Sequence, residues 1–138
     1  MKENKSGLNC GTSVFDFMVA CGQTTHQKPV EAWEDTTFNL YMSLVKEEYK
    51  EALEAVEKRD IKNLTQEFVD LIVVTLGAAH SAGLPLQAMW DEVARANASK
   101  IDPETGKVRR REDGKILKPD NFVPADVDKV FETCYTGD

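Results

Sequence analysis

The sequence contains few cysteines and no long apolar run, and both scarcities narrow the class of protein. The three cysteines, Cys10, Cys21 and Cys134, are odd in number, lie far apart and form no Cys-x-x-Cys motif. This pattern argues against a disulfide framework and against a zinc site. The longest apolar run, at positions 17–21, is much shorter than the ~18 residues typical of a membrane span. We therefore expect reduced cysteines and no membrane partner.

The start of the chain also lacks the features of a secretory signal. The segment MKENKSGLNCGTS has neither an apolar core nor a small-residue cleavage site, so we expect a cytoplasmic protein. The length of 138 residues suits one domain, 1–138, with a core of its own. The polar composition of positions 1–12 predicts a flexible start.

Acidic residues outnumber basic ones, and the basic ones are concentrated in one segment. The chain has a net charge of −7, which would repel long nucleic acids. Positions 100–118 nevertheless hold seven basic and four acidic side chains, a local charge of +3. Alone, such a segment is typical of a solvated loop. A functional role for this basic segment is worth considering only if an acidic site lies elsewhere in the chain.

Capping residues, Gly and Pro near helix ends and, for the second helix, a long stretch free of Gly and Pro predict four main helices. The first opens at Ser13, and the others span about 36–59, 60–83 and 85–100. Asp60 suits the N-cap of the third helix, and a glycine follows its last turn.

After position 100 the helical pattern stops. Turn signals recur there, and we predict an irregular tail over 101–138 that packs on the helices. The residues that flank Asp113-Gly114 are suited to a small hairpin, and 127–134 to a short helix. The expected fold is an all-α bundle of four main helices with an irregular C-terminal tail.

Two pairs of acids lie on the second and third helices. Glu48 and Glu51 are three residues apart, which places them about 60° apart on one helix face. Glu67 and Asp70 have the same spacing. A helical wheel puts Glu48 in the middle of an apolar stripe, with Glu51 at its edge. Three further acids of this helix turn increasingly toward solvent: Glu47, Glu54 and Glu57.

Asp70 lies inside the apolar run at 68–74, where an isolated ionised carboxylate would be costly. No Lys or Arg stands within one helical turn of it, so its partner is a basic residue of another helix or a bound cation. Several inward carboxylates favour a hard divalent cation with oxygen ligands, Mg²⁺ or Mn²⁺. A buried salt-bridge network is the alternative.

A helical di-iron site is a rival that the spacing excludes. Such sites use Glu-x-x-His, and neither His26 nor His80 follows a Glu by three residues. We expect His80 to pack or hydrogen-bond near the end of its helix.

These motifs resemble those of a known superfamily. The pattern Glu-Glu-x-x-Glu at 47–51, followed after 15 residues by Glu-x-x-Asp at 67–70, is similar to the signature of the all-α nucleoside triphosphate pyrophosphohydrolases. This group contains MazG, the dimeric dUTPases and phosphoribosyl-ATP pyrophosphohydrolase. The resemblance covers about 15–124. Gly-Lys-Ile-Leu-Lys at 114–118 and Asn-Phe-Val-Pro at 121–124 resemble the tail of its short MazG-like members.

The resemblance implies a set of site residues. Four acids would be Mg²⁺ ligands, with Mn²⁺ as a substitute: Glu48, Glu51, Glu67 and Asp70. Glu47 would orient the attacking water or accept its proton. The phosphates would be bound by Asn97, Lys100, Lys115 and Lys118. Candidates for a base pocket, by their position before the acidic motif, are Phe17, Gln23, Trp33, Phe38 and Tyr41; core packing is the alternative role of each.

The implied reaction is the hydrolysis of a nucleoside triphosphate, (d)NTP, to (d)NMP and pyrophosphate, acting on deoxynucleotides in pool cleansing or recycling. One alternative is the phosphoribosyl-ATP pyrophosphohydrolase of histidine synthesis. Another is a non-catalytic helical dimer that binds metal or nucleotide. Because the third helix is apolar nearly all round over 68–79, we expect a second copy to cover part of it, in a homodimer or homotetramer.

Overall fold

The computed structural model describes residues 13–135, and most of their regular structure is helical. The elements, in chain order, are α1 (Ser13–Ala20), α2 (Thr36–Glu57), α3 (Ile61–Ala82), α4 (Leu86–Ala98), β1 (Arg109–Arg110), β2 (Ile116–Leu117) and α5 (Val127–Tyr135). The predicted all-α class is confirmed.

The described chain divides into two compact units, 13–84 and 85–135. The first contains α1 to α3, and the second contains α4, the two short strands and α5. The single domain and the packing of the tail on the helices stay predictions. The flexible start predicted over 1–12 lies outside the described residues.

Helices α2 and α3 form an antiparallel hairpin that dominates the first unit. Asp35 caps α2 by accepting a hydrogen bond from the Phe38 N–H at 2.9 Å. Arg59 has a φ of 53° in the connection, which ends α2 two residues earlier than predicted. Asp60 caps α3 as predicted, by accepting from the Asn63 N–H at 3.0 Å.

The core of this unit lies where α1 crosses the hairpin. Its buried members are Val14, Met18, Tyr41, Val74 and Ala78. Gly77 allows the two long helices to approach here, because a Cβ at this position would overlap the Tyr41 ring. The close helix packing at this level therefore depends on one glycine.

The loop between α1 and α2 is fastened to the end of α3. The His26 N–H donates to the His80 carbonyl at 2.9 Å, and the Val30 N–H donates to the Ala82 carbonyl at 3.0 Å. Gly83 ends α3 with a φ of 67° and lies so close to the Lys28 backbone that a side chain would collide with it. The loop is thereby held in a fixed place beside the core.

The second unit joins a helix pair to a two-stranded hairpin. Helix α4 packs against α5. Strands β1 and β2 pair antiparallel, with Arg109 opposite Leu117 and Arg110 opposite Ile116. The predicted hairpin around Asp113-Gly114 is confirmed, as is the short final helix.

No single helix in the described range 13–135 is long and apolar enough to cross a membrane. Helices α3 and α4 meet the length and composition test only when they are taken together as a broken pair.

Candidate metal and nucleotide site

Three carboxylates meet halfway along the α2–α3 hairpin. Glu48 of α2, with Glu67 and Asp70 of α3, each place one carboxylate oxygen within 4.8 Å of the others. The antiparallel pairing brings Glu48 opposite the two acids of α3, which share a face because they are three residues apart. A group of this kind could hold a metal ion.

The burial of these acids differs from the wheel in one respect. Glu48 and Asp70 are half-buried, whereas Glu67 is only 8% exposed and is the most buried of the group. The wheel emphasised Asp70, because it lies within an apolar run. The reason for the difference is that Glu67 faces the middle of α2, a neighbour that a wheel of α3 alone does not include. The predicted exposure of Glu54 and Glu57 is confirmed.

Two buried oxygens of this group have no hydrogen-bond partner among the residues that the structure describes. They are Oε2 of Glu48 and Oε2 of Glu67. Leaving a buried carboxylate oxygen unpaired is costly, and buried polar atoms normally have a partner. A divalent cation with oxygen ligands would satisfy both atoms at once. The donor set therefore fits a metal such as Mg²⁺.

The electrostatics of Glu48 agree with this geometry. Burial, followed by the adjacent Glu67 carboxyl and the charge of Glu51, raises the pKa of Glu48 to about 7. Crowded like charges disfavour ionisation, and a bound cation would reverse that preference. Glu51 thus lies close enough to act on Glu48, although it is not part of the three-carboxylate group.

The alternative of a buried salt-bridge network finds no support in the described range. None of the four acids forms an ion pair with a Lys or Arg there; the ion pairs described are Glu92–Arg95, Asp102–Arg109 and Asp113–Arg111. The charge of the group is therefore left without a protein cation among these residues.

A cavity of about 420 Å³ opens one helical turn away from the acids. Its walls come from α1, the following loop, α2 and α3: Ser13, Val14, Phe17, Gln23, Tyr41, Leu44, Val73 and Val74. Leu44 precedes Glu48 by four residues and Val73 follows Asp70 by three, so the cavity and the acids share one side of the hairpin. Three predicted base-pocket residues line it: Phe17, Gln23 and Tyr41.

A hydrogen bond fixes the orientation of the Gln23 side-chain amide, which lines this cavity. The Tyr41 hydroxyl donates to Oε1 of Gln23 at 2.6 Å. Burial raises the pKa of Tyr41 above its ordinary value, so the hydroxyl keeps its proton. Because Oε1 is occupied, the amide N–H groups of Gln23 are the donors left for a ligand.

The other two base-pocket candidates do not line this cavity. Trp33 is 68% exposed and meets the Phe38 ring edge-on at 6.0 Å. Phe38 packs on the core cluster. Sequence reasoning missed the aliphatic lining residues, Leu44, Val73 and Val74, and their spacing from the two acidic motifs was the available signal.

The predicted phosphate-binding residues lie in the second unit. Lys100 Nζ donates to Asn97 Oδ1 at 3.2 Å, and its ammonium group lies 5.8 Å from the centre of the Phe122 ring. Lys118 approaches the same ring at 5.1 Å. Lys115 is exposed immediately before β2 and contacts neither Asn97 nor Phe122 among the interactions described. The structure therefore brings Lys100 and Lys118 to one ring, with Asn97 beside Lys100. Phe122 belongs to the motif at 121–124, but the sequence pattern indicated no separate role for it.

Two other residues that the sequence analysis considered, Glu47 and His80, lie outside the three-carboxylate group. Glu47 is exposed beside Glu48 on α2. His80 lies outside the carboxylate group, packs edge-on against Phe15 at 5.4 Å, and has its pKa lowered by burial. It packs near the end of α3, where the sequence placed it.

The acid pairs on α2 and α3 are the motifs that resemble those of the all-α nucleoside triphosphate pyrophosphohydrolases. Comparison with protein families gives a match to the phosphoribosyl-ATP pyrophosphohydrolase family over residues 14–97. The chain belongs to this family, which is part of the MazG-like superfamily. No curated protein matches the chain. The matched range contains the acids of both motifs and every residue that lines the cavity except Ser13, and it ends before Lys100.

Proposed function

We propose that this protein is a Mg²⁺-dependent nucleoside triphosphate pyrophosphohydrolase that converts (d)NTP and water to (d)NMP and pyrophosphate. The observation that carries the proposal is the three-carboxylate group with two unpartnered buried oxygens, in a member of a pyrophosphohydrolase family. Nucleotide pool cleansing or recycling is the role proposed for it.

Glu48, Glu67 and Asp70, with Glu51 beside them, are the residues proposed to hold Mg²⁺ or, as a substitute, Mn²⁺. When bound, such an ion neutralises phosphate charge and lowers the pKa of the attacking water. The protein's own contribution is to hold the carboxylates close together and partly shielded from water, an arrangement that a bound cation would stabilise in the ionised form. Exposed Glu47 is proposed to orient the water or to accept its proton.

The cavity at Phe17, Gln23 and Tyr41 is the proposed base pocket. Its apolar walls suit the faces of a base, and the Gln23 N–H groups supply donors for an acceptor on the base edge. Its position one turn from the acids leaves the sugar and phosphates to span the distance between them. Trp33 and Phe38 are assigned to packing instead.

Asn97, Lys100, Lys115 and Lys118 are proposed to bind phosphate oxygens. They carry positive charge or an amide group, and Lys100 and Lys118 form no ion pair within the described part of the chain. Ammonium groups without an acidic partner are suited to a polyanionic substrate. The acids of the hairpin would bind the metal. Asn97 and the three lysines would bind the phosphates.

A homodimer or homotetramer is proposed as the working form. The α2–α3 hairpin leaves large apolar side chains exposed, including Leu53 at 49%, Phe68 at 52% and Val69 at 45%. Exposed apolar surface of this extent is typical of an interface. Sedimentation equilibrium of the purified protein tests this: a monomer at micromolar concentration would contradict it.

Phosphoribosyl-ATP is the second candidate substrate, favoured by the family match. It also carries a triphosphate that is cleaved to release pyrophosphate, so the acid group serves either substrate equally well. The match ends at residue 97, however, and does not include the basic segment that would contact the phosphates. The acids therefore support the reaction, and the substrate depends on other residues.

A panel of substrates tests the proposal. Purified protein is incubated with Mg²⁺ and each canonical (d)NTP, dUTP or phosphoribosyl-ATP, and the products are separated by ion-exchange chromatography. We expect pyrophosphate and the monophosphate from at least one nucleoside triphosphate, and no turnover after chelation of the metal. Orthophosphate with a diphosphate product would contradict the proposal, and turnover of phosphoribosyl-ATP alone would select the second candidate. Metal binding without turnover of any substrate would indicate the non-catalytic alternative.

A further inference from the structure

The segment that follows the hairpin of the second unit is fastened to helix α4. The Arg95 guanidinium donates to the Val123 carbonyl at 3.2 Å and to the Pro124 carbonyl at 3.1 Å. The same guanidinium forms an ion pair with Glu92 at 2.8 Å, and a Glu92 oxygen accepts from the Asp126 N–H at 3.1 Å. Two neighbouring side chains of α4 therefore hold both ends of the stretch 123–126.

The charges in this fastening are present at neutral pH. The hydrogen bond from Arg95 lowers the pKa of Glu92 to about 2, so Glu92 is ionised there. The Glu92 side chain is only 12% exposed, which limits competition from water. Fixed charge and fixed hydrogen bonds leave this stretch of backbone little freedom beside α4.

Phe122 stands immediately before the fastened stretch. Its N–H donates to the Pro119 carbonyl at 3.0 Å, so the backbone turns tightly between Lys118 and Phe122. Lys118 comes to the ring from one side of this turn at 5.1 Å, and Lys100 comes from the end of α4 at 5.8 Å. Two ammonium groups that are 18 positions apart in the sequence thus lie near one aromatic ring.

The contact of two lysines with one neutral ring indicates a role other than structural charge pairing. Like charges repel, and each lysine would lose side-chain freedom by settling there, so an acid would be the expected neighbour if the role were structural. Arg109 and Arg111 show that pattern, because each pairs with an aspartate. Lys100 and Lys118 have the ring and no carboxylate within 13–135.

We propose that Phe122 is a positioning residue that holds Lys100 and Lys118 as a pair for one pyrophosphate group, either as part of the substrate or as the leaving product. The ring attracts each ammonium group through its π electrons and uses none of their N–H donors. Lys100 gives one of its three N–H groups to Asn97 Oδ1, so both lysines keep donors for phosphate oxygens. A dianionic phosphate would then relieve the repulsion between the two lysines. Lys115 is outside this pair. The inference rests on the proposed function for the identity of the anion.

The first test measures pyrophosphate binding directly. Inorganic pyrophosphate is titrated calorimetrically into the wild-type chain, Phe122→Leu and Phe122→Trp, without metal or nucleotide. We expect Phe122→Leu to raise the Kd by about fivefold, the size of two lost exposed cation–π contacts, and Phe122→Trp to keep it within about twofold. Lys107→Gln removes an exposed lysine of the same basic segment and serves as the control that leaves binding unchanged.

A double-mutant cycle separates positioning from a general structural role. If Phe122 acts through the lysines, Phe122→Leu has no further effect in a Lys100→Gln/Lys118→Gln background. In turnover assays we expect Phe122→Leu to raise KM for the triphosphate with little change in kcat. Additive effects in the cycle, equal loss with Trp and Leu, or no pyrophosphate binding by the wild type would each overturn the proposal.

The two proposals fail separately. Pyrophosphate binding that depends on Phe122, in a protein that releases no pyrophosphate from any triphosphate, would remove the proposed function and keep this pair. Turnover with the same KM and kcat in the wild type and in Phe122→Leu would keep the proposed function and remove the role of this pair.

Discussion

The two regions that carry the candidate functional groups keep their charges in opposite ways. In the α2–α3 hairpin, the four acids proposed to bind metal are buried or half-buried, and two of their oxygens have no partner among residues 13–135. In the second unit, several basic side chains are partly or fully exposed, and they contact aspartates or the Phe122 ring. The first arrangement requires a ligand to balance it, whereas the second only favours one. Changes in the acidic region should therefore have much larger effects than changes in the basic region.

The largest expected effect comes from neutralising an acid of the hairpin. Glu48→Gln and Asp70→Asn each remove one negative charge from the three-carboxylate group and keep the side-chain shape. We expect kcat to fall by at least about a hundredfold, because metal and phosphate charge are no longer balanced. Steady-state kinetics with Mg²⁺ measure the change, and circular dichroism verifies the helices. Glu54→Gln, an exposed acid of the same helix, should keep full activity; equal losses in all three variants would erase the distinction between buried and exposed acids.

A second effect concerns the packing that forms the acidic region. Gly77→Ala places a methyl group where the Tyr41 ring lies, so we expect a loss of about 1–3 kcal/mol in the free energy of unfolding. Urea denaturation followed by circular dichroism measures this loss. Thr75→Ala, an exposed position on the same helix, should change stability much less. A Gly77→Ala chain as stable as the wild type would show that the two helices can separate at this level without cost.

The third effect is a pH dependence that only the acidic region should show. The folded-state pKa of Glu48, about 7, lies above its ordinary value of 4.5, so its contribution to stability is full below about 4.5 and is lost as pH rises through 7. Relative to Glu48→Gln, the metal-free protein should lose on the order of 1 kcal/mol between pH 5 and pH 8, since Glu48 is only half-buried. Burial lowers the pKa of His80, which adds stability over the same interval in both proteins and cancels in this comparison. Urea titrations at both pH values measure it, and Glu48→Gln should reduce the difference. Stability that rises over this interval in the wild type alone would contradict the crowding of the carboxylates.

The smallest effect belongs to the basic region. Exposed lysines are screened by salt, so raising the ionic strength from about 0.05 to 0.5 M should increase KM a fewfold while kcat changes little. Initial rates at constant free Mg²⁺ measure both parameters. A fall in kcat without a change in KM would place the salt-sensitive charges in the chemical step instead of in binding.

The sequence predicted the acidic region well because a helix has a fixed period. Caps at Asp60 and Gly83 marked the limits of α3, and three-residue spacing was enough to place each acid pair on one face. The end of α4 was predicted two residues too late, since Ser99 and Lys100 already belong to a turn. The relative burial of Glu67 and Asp70 depends on the partner helix and could not follow from one wheel.

The basic region was harder to predict, because it has almost no period. The hairpin followed from its Asp-Gly turn, but Phe122 stands in an irregular stretch where no pattern indicates what a ring contacts. The cavity raised a similar difficulty, since its walls come from four separate parts of the chain. Gln23 and Tyr41 were candidates only by their position before the acidic motif, and the hydrogen bond between them became visible in the folded chain.

Direct metal binding tests the central claim, that the three carboxylates hold a divalent cation. Metal-free protein is titrated with Mn²⁺, and free Mn²⁺ is followed by electron paramagnetic resonance, with Mg²⁺ as the competitor. We predict saturable binding that Mg²⁺ displaces, that Glu67→Gln and Asp70→Asn weaken by at least about tenfold, and that Glu54→Gln leaves intact. Absence of saturable binding, or equal binding in all four proteins, would contradict the account.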